Sequence, residues 1–471
     1  MNVKVLDIRI GERRAGILFQ YARADAPWIN RFVADRSFMT ETQPPTLSLS
    51  YLAASEQDQA LLWQDYRNPI FNGRLSKNQS TWLLPAFFQN LLPEGVFRDQ
   101  VARLRGCAPS DHFELLAACG RDLPGNVYAL PLELNAQQLG DYITPYADDV
   151  EMITTAEPLE QGVSLSGLQP KLGVIKDLDR YVGRTKDNDT HIIAKLPVVA
   201  HPLLPEVEDL SLRLAKAAGV NACDAYLEPL GKLVAGHDYD LGEAGQHTNF
   251  LAVVRYDRKP GARVHCEDFA QVFGVMPEDK YSNEFSYLQV AEVLLTQPSL
   301  AENAVHELLR RILVNEMLGN PDMHLKNIGL WYPDGKTPEL PPAYDIVAHT
   351  IYTPVTGHGL RILPAHIESE IRPKPLRDQP QRTQQSQQPT RPKQPLLLTP
   401  NVLRVFCNNL GIAERPALKA MADCAKAAYA SWPDMIKGSL LTSQQKQRLL
   451  KHFLKHHAIV SLARRDQRQQ S

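Results

Sequence analysis

Residues 319 to 327 read Gly-Asn-Pro-Asp-Met-His-Leu-Lys-Asn, and Asp345 follows in Pro-Ala-Tyr-Asp-Ile. Asp322, Asn327 and Asp345 stand in the order a phosphoryl-transfer site requires. A first carboxylate orients the attacking hydroxyl, an amide five positions on holds a metal ion, and a second carboxylate beyond a short hairpin holds it too. Between Asn327 and Asp345, Ile328 to Tyr332 reads as a strand, Asp334-Gly335 as a tight turn and Pro338 to Tyr344 as the return. Such a hairpin would carry Asp345 back beside Asn327, which gives the spacing a mechanical reason.

Working outward, the chain has 471 residues, of which 44% are hydrophobic and 22% charged, the balance of a globular protein with room for two or three cores. No apolar run approaches the roughly 18 residues of a membrane-spanning helix, and the first ten residues alternate like a strand rather than a signal peptide. A cytoplasmic protein without a membrane partner is expected. The six cysteines are scattered with no close Cys-x-x-Cys pair, which speaks against a zinc knuckle and a disulfide framework. A net charge of −2 gives no global attraction to nucleic acid.

Three segments are expected. Residues 1–150 read as a mixed, strand-rich unit, with a helical stretch from Trp82 to Arg105 interrupted at Leu92-Pro93-Glu94-Gly95. In residues 151–256, Lys171–Lys176, His191–Leu196 and Asn249–Tyr256 read as strands, and Glu208–Ala218 as a helix closed by Gly219. Residues 257–471 are mostly helical. Val305, Leu308, Leu309, Ile312, Leu313 and Met317 recur at helical spacing and predict one buried face leading to Gly319. Residues 372–394 are rich in Gln, Pro and Arg, too polar to bury themselves, and are expected to form a flexible insertion.

Upstream, Val163-Ser-Leu-Ser-Gly-Leu-Gln-Pro-Lys171 precedes a strand and offers backbone amides, hydroxyls and a lysine to phosphates. Taken alone it is an ordinary turn. Lys195 lies at the end of an apolar strand where a phosphate-neutralising lysine belongs, and Glu208 is placed to pair with it. Each has a bland alternative, a lysine reaching to solvent and a glutamate favoured by a helix dipole. Asp322 and Asp345 alone would be loop aspartates; it is their order with Asn327 that points to chemistry. Asp322-x-His324 also admits a metal-dependent hydrolase. His452, His456 and His457 read as a solvated helix face rather than a metal site.

Taken together these motifs resemble the HipA-type serine/threonine kinases, toxins of type II toxin-antitoxin modules. Gly319–Asn327 is similar to that family's Gly-Asn-x-Asp-x-His-x-Lys-Asn loop, Leu340–Ile346 to its Leu-x-Pro-x-Tyr-Asp segment, and Ser164–Lys171 to its Ser-x-x-Gly-x-Gln-x-Lys loop. Val253–Arg258, His265–Gly274 and Leu91–Arg98 resemble its hinge, its His-x-Glu-Asp stretch and its Leu-Pro-Glu-Gly stretch.

The resemblance implies an α+β, bilobal protein-kinase-like fold with an extra N-terminal β-rich subdomain and a mostly helical C-terminal lobe. It implies ATP and Mg²⁺ as cofactors, and transfer of the γ-phosphate to a protein substrate, with aminoacyl-tRNA synthetases among the family's targets. By the same resemblance Asp322 is the base and Asn327 and Asp345 are the metal ligands. Ser166, Gly167, Gln169, Lys171, Lys195 and Glu208 serve the phosphates, Val254 and Tyr256 meet the adenine, and Ser164 is the autophosphorylation site that switches the enzyme off. A small helix-turn-helix antitoxin is the implied partner, with DNA bound only through it. A catalytically silent kinase fold acting as a binding protein or co-repressor is the alternative from another class.

Overall fold

The structure is a computed structural model that describes residues 2–22, 28–65, 67–78, 81–142, 151–160, 162–165, 169–185, 188–245, 248–354, 357–371 and 395–470. Ser166, Gly167 and the expected insertion 372–394 lie outside the described residues. Helix and sheet are mixed, and the chain forms two compact units. The first comprises residues 1–209, 223–280 and 328–342; the second comprises residues 210–222, 281–327 and 343–471.

The first unit opens with a sheet of β1 (Asn2–Ile10), β2 (Arg13–Ala22), β3 (Ile29–Ala34), β4 (Val127–Pro131) and β5 (Glu151–Met152), in the order β3-β2-β1-β4 with β5 also on β1. Alternation along β1 explains why both faces are covered. Val3 and Val5 join Ile17 and Phe19 in one apolar cluster, whereas Leu6, Ile8 and Ile10 join Leu18, Phe32 and Phe88 in another. The expected break in the helical stretch is present, since short Ala86–Gln89 and longer Gly95–Arg105 helices flank Leu92-Pro93-Glu94.

A second sheet has the order β7-β6-β8-β10-β9, built from β6 (Lys171–Asp177), β7 (Arg180–Gly183), β8 (Ile192–Lys195), β9 (Ala225–Pro229) and β10 (Asn249–Val254). Leu172, Val174, Ile192, Ala194, Phe250 and Ala252 fill one face as a buried cluster. Period-two alternation therefore sends Lys171, Lys195 and Leu251 to the other face, where the register sets Lys195 opposite both of them. A small pair, β11 (Arg258–Lys259) and β12 (Ala262–Arg263), leads to β13 (His265–Asp268), which pairs with β14 (Gly329–Tyr332).

The expected hairpin after Asn327 forms only in part. Gly335 turns the chain at φ +79°, its N–H donating to the Tyr332 carbonyl at 2.9 Å. The return leg then touches β14 through a single bridge, Trp331 with Glu339, and β14 takes β13 as its partner instead. Pro338, Pro341 and Pro342 explain this, because they bring no N–H to a ladder.

The second unit is helical. Its centre is the helix Ala301–Leu318, whose six predicted apolar positions are all at most 1% exposed. Around it lie helices Tyr287–Thr296, Pro400–Leu410, Glu414–Lys437, Ser443–Lys455 and His457–Gln470. Trp432 is fully buried, donates to the Leu214 carbonyl at 2.9 Å and packs on Phe453. No helix among the described residues is long and apolar enough to cross a membrane.

The C-terminal histidines correct an expectation. They do not share one solvated helix face, because the helix ends at Lys455, His456 turns extended at ψ 135°, and a new helix starts at His457. That turn points His456 inward, leaving it 7% exposed against the carboxylate of Glu316.

Candidate active site

The loop after Leu318 is built by its own sequence. Gly319 ends the helix at φ +63°, a conformation glycine adopts without strain. A Cβ there would also come within 2.7 Å of Thr350 Cβ. Asn320 is buried, and its side chain takes the Asp322 N–H at 3.1 Å while donating to Asn315 at 2.6 Å. The Asp322 carbonyl then receives the His324 N–H at 2.8 Å and the Asn327 side-chain amide at 2.7 Å. Asp322 and Asn327 are thus held together through the backbone of one tight loop.

Asp345 is attached through its neighbour. The Tyr344 hydroxyl donates to the Lys326 carbonyl at 3.0 Å, which sets the residue before Asp345 against the residue before Asn327. Asp345 itself has φ +53°, in the left-handed region that Asp enters more readily than bulkier residues. Such a conformation costs on the order of 1 kcal/mol and recurs at functional sites.

Tyr281 and Tyr287 were not read from the sequence. The Tyr281 hydroxyl donates to Asp322 Oδ1, and its ring meets His324 edge-on at 4.7 Å. Tyr287 is fully buried and donates to the Met323 carbonyl at 2.7 Å. Both come from a distant stretch of chain, so no local spacing announces them. His324 Nε2 lies 3.8 Å from Asp322 Oδ1. Among the described residues no further carboxylate, thiol or imidazole joins this pair at ligand distance, so a hydrolase's metal set is not assembled there.

In the first unit, Lys195 and Glu208 form a buried ion pair, their side chains 5% and 1% exposed. Lys171, across the strand pair from Lys195, is also buried. Two ammonium groups on one sheet face repel each other, so the arrangement favours an anionic neighbour, and Glu208 supplies one charge. The Gln169 amide nitrogen is buried with no hydrogen-bond partner among the described residues.

Ser164 is 1% exposed; its hydroxyl donates to the Leu91 carbonyl, and its N–H reaches the Asp122 carbonyl at 3.0 Å. Val163 and Leu165 on either side belong to the apolar core of the unit. In the segment Val254–Tyr256, the Val254 N–H is given to Asp224 and the Arg255 N–H to His191, at 2.8 and 3.0 Å. Arg255 and Arg258 are buried around Asp122 and Asp257, an ionic cluster that braces the segment from behind. In the His-x-Glu-Asp stretch, Glu267 accepts from Ser48, Tyr332 and the Leu49 N–H, and Asp268 caps the following helix; both roles are structural.

Comparison with known proteins gives the family. A family model described as the HipA-like C-terminal domain matches residues 163–432, and one described as the HipA N-terminal domain matches residues 6–130. The chain is 36% identical over 325 residues to "Putative kinase Y4dM" of Sinorhizobium fredii, covering 68% of this chain and 72% of the relative. It is 25% identical over 322 residues to the serine/threonine-protein kinase toxin HipA of Shewanella oneidensis, covering 62% and 69% of the two chains. Among solved structures, HipA of Shewanella oneidensis, determined with HipB and operator DNA, aligns with a TM-score of 0.61 over 98% of this chain and 99% of that one, at 18% identity. At that identity the likeness speaks for the fold, which is the α+β, kinase-like class expected from the motifs.

Proposed function

This chain belongs to the HipA family, and from that premise we propose that it is an ATP-dependent serine/threonine protein kinase of toxin type. One observation carries the reading: Asp322 and Asn327 are locked in a single loop to which the Tyr344–Asp345 segment is tied. The oxygen donors of Asn327 and Asp345 suit a hard cation such as Mg²⁺, and the lysines with Gln169 suit a polyphosphate. Bound there, magnesium and ATP would supply the transferable phosphoryl group and the charge that draws its leaving oxygen away.

The side chains have separable tasks. Asp322 orients the acceptor hydroxyl of a serine or threonine and receives its proton. Lys171 and Lys195 offset phosphate charge, and Glu208 fixes the Lys195 ammonium so that it is ready before the nucleotide arrives. Val254 and Tyr256 flank the adenine, with Ser166 and Gly167 completing the phosphate loop.

Ser164 is the proposed autophosphorylation site. Its buried hydroxyl is shielded while Val163 and Leu165 stay in the core, so modification requires the loop to leave. A dianionic group would then keep it out, since it would be buried beside the Leu91 carbonyl that now accepts the hydroxyl. The structural likeness to a HipA solved with HipB and operator DNA supports a small DNA-binding antitoxin as partner, with DNA contacted through it. An aminoacyl-tRNA synthetase is the proposed class of target.

The test is phosphoproteomics after controlled expression of wild type beside Asp345→Asn, with growth followed in parallel. Wild type alone should slow growth and add phosphoserine or phosphothreonine to a small set of proteins. A growth defect shared by both chains would remove the kinase toxin reading.

A further inference from the structure

The second unit holds a nitrogen-rich cluster that phosphoryl transfer does not use. Glu316 sits near the end of the Ala301–Leu318 helix, with its side chain 1% exposed. His456 Nε2 lies 3.0 Å and His457 Nε2 lies 4.0 Å from its Oε2. These three ligand atoms all lie within 4.8 Å of one another. On the other side, His358 Nε2 is 2.9 Å from Oε1, with its side chain 4% exposed.

Two features exceed what an ordinary buried ion pair needs. Neither ring nitrogen of His358 has a hydrogen-bond partner among the described residues, so its approach to Oε1 is close in distance but off the direction of a hydrogen bond. His457 Nε2 is likewise buried and without a hydrogen-bond partner. A buried imidazole nitrogen beside a carboxylate but without a hydrogen bond is a polar atom left unsatisfied, and a cation held with that carboxylate would satisfy it.

We propose that Glu316, His456 and His457 form a binding site for a zinc-type divalent transition-metal ion. Ligand atoms about 2.0–2.2 Å from a tetrahedral ion stand roughly 3.3 Å apart, and the observed separations straddle that spacing. Imidazole nitrogens with one carboxylate oxygen suit zinc rather than magnesium or calcium. The Leu398 N–H donates to Glu316 Oε1 at 2.7 Å, the kind of outer contact that orients a ligating carboxylate. The long 3.3 Å contact from the Ala458 N–H to His456 Nδ1 would be released on metal binding. An entry route exists, because His358 also lines a surface cavity of about 520 Å³ with Tyr281, Arg361 and Glu368.

The ion would fasten the junction between the last two helices to the helix that delivers Gly319 and the Asp322 loop. His452 already marks this joint, donating to the Glu316 carbonyl at 2.8 Å. The site is therefore a staple for the catalytic loop, separate from any magnesium held by Asn327 and Asp345.

The full chain should be purified, loaded with zinc, dialysed against excess magnesium and assayed for metal content. About one zinc per chain should remain, and a strong chelator should remove it. Cobalt in its place should give the intense visible bands of a tetrahedral nitrogen-rich site, which an oxygen-ligated magnesium position does not produce. His457→Gln and His456→Gln should each lose the retained zinc and those bands while far-ultraviolet circular dichroism stays unchanged. Failure of the wild type to retain zinc, or equal retention by both variants, would reduce the cluster to hydrogen-bonded histidines around a carboxylate. If one variant does not fold, the other decides.

Discussion

The side-chain amide of Asn327 donates to the backbone carbonyl of Asp322 across 2.7 Å, so the amide proposed to hold a cation also sets the loop that presents the carboxylate. Asn327→Ala removes both roles, whereas a variant that spares the loop would remove one. Loop misplacement of about 1 Å costs on the order of 100-fold in rate. Phosphoryl-transfer rates at saturating ATP should therefore fall by at least about 100-fold, with thermal stability lowered by about 1 kcal/mol for the lost hydrogen bond.

The Lys195–Glu208 pair predicts an asymmetry in stability. Removing one partner strands a buried charge and costs about 3–5 kcal/mol, while removing both is far milder. Glu208→Ala should therefore unfold at markedly lower denaturant than Lys195→Met combined with Glu208→Leu. Equal midpoints for the single and double variants would show that the pair is not buried as described.

Acid titration separates two carboxylates of the first unit. Burial alone would raise the Asp122 carboxyl, but the guanidinium groups of Arg255, Arg258 and Arg263 outweigh it and hold the group at about 2, below its usual 3.8. Its contribution is present above pH 3.8 and lost as pH falls toward 2, a difference of about 2 kcal/mol. Glu267 is pushed up by burial, from 4.5 to about 7, and so detracts from stability as pH rises through that window. In urea titrations Asp122→Asn should flatten the limb between pH 4 and 2. Glu267→Gln should gain on wild type between pH 4.5 and 7.

Tyr281 restrains Asp322 through its hydroxyl, and Tyr281→Phe deletes that contact while keeping the ring on His324. The turnover rate should drop about tenfold as Asp322 gains rotamer freedom, with KM for ATP unchanged. A changed KM with unaltered turnover would place Tyr281 in binding instead.

Much of this arrangement is legible in the sequence. The apolar spacing of Val305 to Met317 located the helix, Gly319 its end, and Asp322 with Asn327 the loop, because each signal is local. The Lys195 position could be read from its strand, and strand alternation then explains why it shares a face with Lys171. Long-range partners were out of reach. Tyr281 and Tyr287 meet the loop only through folding, and nothing in their own neighbourhoods marks them. The incomplete hairpin was readable in principle from Pro338, Pro341 and Pro342, whose missing N–H groups outweigh the turn signal of Asp334-Gly335. The spacing of His452, His456 and His457 predicts one continuous helix, whereas the chain turns inward at His456.

The most direct test is transfer of label from γ-labelled ATP in the presence of Mg²⁺ by the purified full chain, with Asp322→Asn beside it. Wild type should label itself on Ser164 and the variant should show no label, although both melt at similar temperatures. Equal labelling of the two proteins would contradict the assignment of Asp322 and the phosphoryl-transfer reading built on it.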